Sequence, residues 1–82
     1  MNGYENNSRQ FKTKDFYLSC YLKAIGIPLV QVDKEASVAY FCFEKSPEIK
    51  KVITGFYNSA DMVSAGKLIN AIKDLKALIY NL

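Results

Sequence analysis

From Phe11 onward, apolar and polar positions alternate with two distinct periods. Tyr17, Leu18, Tyr21, Leu22 and Ile25 recur at helical spacing, and Phe16, Cys20 and Ala24 flank them, which predicts a helix over 14–25. Phe11 precedes it in a short extended piece. Thr13 stands where an N-cap is expected, its hydroxyl able to accept from an amide one turn inside. Asp15 falls in the first turn, where the positive end of the helix dipole favours an anion. Gly26 supplies a left-handed stop and Pro28 prevents resumption. These positional roles explain the threonine and the aspartate without chemistry.

The period then shortens. Leu29 to Val32 is apolar and β-branched, DKEAS at 33–37 is a polar turn, and Val38 to Glu44 is a second strand, so the pair reads as a β-hairpin. The second strand is apolar on both sides, with Val38, Tyr40 and Cys42 pointing one way and Ala39, Phe41 and Phe43 the other. Such a strand is either covered on both faces or presents one face to a partner.

Ser46, Pro47 and Glu48 follow as N-cap, first-turn proline and first-turn acid. Ile49, Val52, Ile53 and Phe56 then form an amphipathic stripe, with Lys50 and Lys51 outside it and Tyr57 at its edge. Ser64 is the favoured cap of a last helix over 65–80, with Ser59 or Asp61 as alternative earlier starts; its stripe is Ala65, Leu68, Ile69, Ile72, Leu75 and Ile79, widened by Ala71 and Leu78. The order is β-α-β-β-α-α. It predicts an α+β fold in which a two- or three-stranded antiparallel sheet packs with three helices, the third strand being contributed by Phe11. Residues 1–9 read as a flexible polar arm and residues 10–82 as one domain.

Composition narrows the function classes. A chain of 82 residues that is 50% hydrophobic and 13% aromatic suits one compact domain. No apolar run reaches the ~18 residues a membrane span needs, and no secretory leader pattern occurs, so the cytoplasm is the expected location. Cys20 and Cys42 lie far apart among apolar neighbours and are expected to be buried and reduced. Histidine is absent, Asp15, Asp33, Asp61 and Asp74 are scattered over different elements, and the four glycines are dispersed. An enzyme is therefore not expected, nor a cofactor or a metal.

The succession F-K-T-K-D-F-Y-L-S-C-Y-L-K-A-I-G, then L-V-Q-V-D, A-Y-F-C-F-E, F-Y-N and A-G-K-L-I-N-A-I-K-D-L-K-A-L-I, resembles a family of short bacterial and phage proteins described only as a domain of unknown function. The resemblance spans about residues 10–80. It implies the same architecture and supplies no substrate, cofactor or catalytic residue.

Binding is then the expected mode of action. The doubly apolar strand makes Val38, Tyr40, Phe41 and Phe43 candidate protein-interface residues, for self-association as a homodimer or for a small adaptor, accessory factor or inhibitor. The net charge of +3 also permits nucleic acid. Its candidate residues are Arg9, Lys12 and Lys14 near the first helix and Lys45, Lys50 and Lys51 near the second, with Tyr4 or Tyr40 stacking on bases. A third reading is a small-molecule pocket offering the hydroxyls of Tyr17, Tyr21, Tyr40 and Tyr57.

Overall fold

The computed structural model describes residues 10–59 and 61–82; the expected arm at 1–9 lies outside them. The elements are β1 (Gln10–Thr13), α1 (Phe16–Ala24), β2 (Leu29–Glu35), β3 (Val38–Glu44), α2 (Ile49–Tyr57) and α3 (Ala65–Tyr80). The strands form an antiparallel sheet in the order β1-β3-β2. The doubly apolar strand is thus central, as its composition requires. Among the described residues, no helix is long and apolar enough to cross a membrane.

Register assigns every strand residue a side. Phe11 and Thr13 of β1 oppose Phe43 and Phe41 of β3, and Leu29 and Val32 of β2 oppose the same pair from the other edge. These residues face the helices. The alternate set, Gln10 and Lys12 on β1, Gln31, Asp33 and Glu35 on β2, and Val38, Tyr40, Cys42 and Glu44 on β3, faces away from them. Register slips by one residue between Leu29 and Gln31, so Val30 is a bulge that bends the start of β2.

The core lies between sheet and helices. Phe41 and Phe43 meet Leu18, Leu22, Ala71 and Leu75 there, with Val32, Val52, Ile53 and Phe56 packed around them. Five successive residues of α1, Leu18 to Leu22, are buried, because this helix is covered by the sheet on one side and by α3 on another. That corrects the expected stripe: Tyr17 is 72% exposed and Ile25 also faces solvent. Ser19 tolerates complete burial because its hydroxyl donates to the Asp15 carbonyl at 2.8 Å.

Local signals were displaced rather than absent. Asp15, not Thr13, is the N-cap of α1: its Oδ1 accepts from the Leu18 amide at 3.0 Å, while the Thr13 hydroxyl accepts from the Asp15 amide at 3.0 Å. The sheet holds Thr13 in β1, which moves the helix start two residues on. At the other end the Ile27 amide donates to the Leu22 carbonyl and the Gly26 amide to Lys23, with Gly26 at φ +98°, a left-handed C-terminal cap. The hairpin turn is shorter than expected. β2 continues through Glu35, and only Ala36 (φ 50°) and Ser37 (φ 71°) make the turn, a two-residue loop with both centres left-handed. Regular helix in α2 begins at Ile49, after a turn at Pro47 and Glu48; Ser46 contributes its carbonyl, which accepts from the Ile49 amide. Ser64 caps α3 as expected, its hydroxyl accepting from the Lys67 amide at 3.2 Å. The α3 stripe is turned toward Ala71, which is buried with Leu75, and leaves Ala65 exposed and Ile69 half exposed.

Candidate functional site

Two surfaces stand out, one on each side of the molecule. The first is the open face of the sheet. Lys12 reaches across β3 to Glu35 at 3.1 Å and Asp33 at 3.7 Å, and its ammonium lies 5.0 Å from the centre of the Tyr40 ring. The Gln31 amide donates to both Asp33 oxygens at 3.1 Å, and the Cys42 thiol points at Asp33 from 3.8 Å. Gln10, Lys12, Gln31 and Asp33 line a depression of about 360 Å³ around Cys42. Their side chains cover Cys42, which is 2% exposed although no helix lies over it.

This arrangement holds charge in place and shields the thiol. The hydrogen bond to Glu35 raises the Lys12 ammonium above its usual value. Burial, and then the Asp33 charge, raises the Cys42 thiol, so the thiolate needed for nucleophilic chemistry is disfavoured. Cys20 is likewise free, buried and pushed up by burial. Among the described residues, no group of three or more His, Cys, Asp or Glu side chains converges as a metal site.

The second surface lies beside α2. A groove of about 750 Å³ is lined by Pro47, Val52, Thr54 and Gly55 together with Lys50, Lys51 and Asp61. The Asp61 carboxylate lies over the Gly55 Cα, in the space a Cβ would take. Burial and then Asp61 raise the Tyr21 phenol, which stacks on Phe56 at 5.2 Å. The Thr54 hydroxyl donates to the Lys50 carbonyl at 3.0 Å, and Lys50 and Lys51 are exposed. At the far end of α2 the Tyr57 hydroxyl donates to Asp15 Oδ2 at 2.6 Å, tying α2 to the cap of α1. That bond, followed by the Leu18 amide, holds the Asp15 carboxyl below the usual carboxylate range.

The open face differs in charge from the rest of the described chain. The open face carries one lysine, Lys12, and three acids, Asp33, Glu35 and Glu44, a net −2. The other described residues carry nine lysines and four acids, a net +5. The modest overall charge conceals this division.

The expected site residues are dispersed accordingly. Phe41 and Phe43, expected at an interface, are 1% and 0% exposed and belong to the core, because their side of β3 is the one the helices cover. Val38 and Tyr40 remain on the open face. Of the basic residues, Lys12 is engaged on the acidic face, whereas Lys14, Lys45, Lys50 and Lys51 are exposed elsewhere; Arg9 and Tyr4 lie outside the described residues. The four tyrosines do not share a pocket: Tyr21 is buried, Tyr40 is on the open face, and Tyr17 and Tyr57 are exposed. The acidic face was missed, although alternation of Gln31, Asp33 and Glu35 along β2 carried its signal. The approach of Asp61 to Gly55 had none, since the two are joined only by the fold.

The chain belongs to the DUF5659 family, a domain of unknown function whose family model matches residues 8–81. No curated protein and no solved structure matches it.

Proposed function

We propose that the chain is a non-catalytic protein-interaction module, a small adaptor, accessory factor or inhibitor that takes its partner in the groove beside α2. One observation carries this reading: Pro47, Val52, Thr54 and Gly55 line a mostly apolar groove together with Lys50, Lys51 and Asp61. Apolar lining with charged groups among it suits an interface, where desolvated contact supplies affinity and charge supplies orientation. The positive charge away from the open sheet face favours a second reading, contact of the same lysines with nucleic acid.

Thr54→Arg separates these readings, since Thr54 is exposed and a long side chain there fills the groove without entering the core. After nuclease treatment, tagged wild-type protein is expected to retain a partner polypeptide in stoichiometric amount, a second copy included, and the Thr54→Arg variant to lose it. Nucleic acid bound instead, and released as salt rises, supports the second reading. Equal retention of the same polypeptide by both proteins overturns the groove as the contact site.

A further inference from the structure

We propose that the groove is occupied by a second copy of the chain, docked head to tail, with the hairpin end of one copy's open sheet face seated between the lysines of the next. The proposal rests on the reading of the groove as a protein-contact site and names its partner. Charge complementarity selects this arrangement. The open face has a net charge of −2, and the charged residues lining the groove, Lys50, Lys51 and Asp61, a net +1. A two-fold dimer through the open face would bring two acidic surfaces together, whereas pairing unlike surfaces brings its carboxylates to Lys50 and Lys51.

The hairpin end also matches the groove in kind. Val38, 37% exposed, lies directly opposite Glu35, whose side chain is 58% exposed. An apolar side chain beside a carboxylate is what a mostly apolar groove that also presents Lys50 and Lys51 accommodates. Glu35 gives up little to meet them, because its pairing with Lys12 is exposed and screened by solvent. A head-to-tail pair keeps one unused face and one unused groove, so association proceeds beyond the dimer unless the rotation between copies closes a ring.

Sedimentation velocity on the full chain tests this. Wild-type protein is expected to sediment faster as its concentration rises, with association weakened about tenfold from low salt to ~0.5 M. Thr54→Arg, with its groove blocked, and Val38→Lys, with its sheet face altered, are each expected to remain monomeric when alone. Mixed, they are expected to form a 1:1 complex and nothing larger, because one intact face meets one intact groove. Circular dichroism of each variant confirms folding beforehand. Monomeric wild-type protein at millimolar concentration, or a mixture of folded variants that stays monomeric, overturns head-to-tail docking. If Thr54→Arg nonetheless loses a different polypeptide in the retention experiment, the groove stands as a contact site and only the second copy is excluded.

Discussion

The two sides of β3 use nearly the same kinds of residue for opposite purposes. Ala39, Phe41 and Phe43 enter the core beneath α1 and α3, while Val38, Tyr40 and Cys42 lie under Lys12, Gln31, Asp33 and Glu35. What separates them is the neighbouring strands. Phe11, Leu29 and Val32 continue the apolar layer on one side; glutamines, carboxylates and a lysine continue a polar layer on the other. A strand's own composition states how much it can bury, and its neighbours decide which face does so.

The sharpest way to break this comparison is to truncate one aromatic from each side. Phe43→Ala is expected to cost about 3–5 kcal/mol, through lost transfer energy and a cavity beside Leu22 and Leu75. Tyr40→Ala, at a half-buried position, is expected to cost about 1 kcal/mol. Urea unfolding followed by circular dichroism measures both. Domains of this size hold only about 4–12 kcal/mol in total, so Phe43→Ala should approach loss of folding near body temperature. Comparable losses would mean that the open face is packed as tightly as the core.

The same contrast explains what the sequence disclosed. Element order and type were legible because Gly26, Pro47 and Ser64 punctuate the chain, the apolar period of α2 is regular and β3 is a short apolar run bounded by polar residues. Rotations were not. Leu18 to Leu22 is buried as a continuous run because two layers enclose α1, and an amphipathic stripe describes a helix with only one apolar neighbour. The turn at Ala36 and Ser37 was hidden for another reason: left-handed geometry there is imposed by register on residues that do not favour it. The placement of Phe41 and Phe43 and the acidic open face both depended on knowing which strands flank β3.

A second test exploits the two thiols, one on each side. Cys20 sits inside α1 in the core, whereas Cys42 is shielded only by side chains lining the open depression. Displacing those side chains is a smaller opening than unfolding the helix layer, so alkylation of native protein should modify Cys42 roughly tenfold or more faster than Cys20. Peptide mass spectrometry reads the two sites separately. Asp33→Asn should accelerate Cys42 further, since the Asp33 charge helps to hold that thiol protonated. Faster modification of Cys20 would invert the assignment of core and open face.

Asp15 joins α1 to α2 within the helix layer and makes that layer sensitive to acid. Its carboxyl is held below the ordinary range by Tyr57 and the Leu18 amide, so the stability it adds is present above its unfolded value and is lost as pH falls through the folded one. Asp15→Ala should cost about 1 kcal/mol at neutral pH, the usual loss of an N-cap, and less in strong acid. Asp15→Asn keeps a capping oxygen without the titration and should flatten the acid limb of the stability profile. An unchanged acid limb in Asp15→Asn would assign that dependence to other carboxylates.

The smallest effect belongs to the open face itself. Lys12 bridges Glu35 and Asp33 in solvent, with all three side chains about one-third to three-fifths exposed, so the ion pairs are screened and their geometry costs side-chain entropy. Lys12 is raised by its bond to Glu35; its contribution is therefore present below the unfolded lysine value and fades as pH rises through the folded one. Lys12→Met, which keeps the apolar stem over Tyr40 and removes the charge, should lower Tm less than Asp15→Ala at low salt and by nothing measurable in ~1 M salt. A loss that persists in high salt would show that the stem and the Tyr40 ring form a packed surface. The two sides of β3 would then differ in depth of burial rather than in kind.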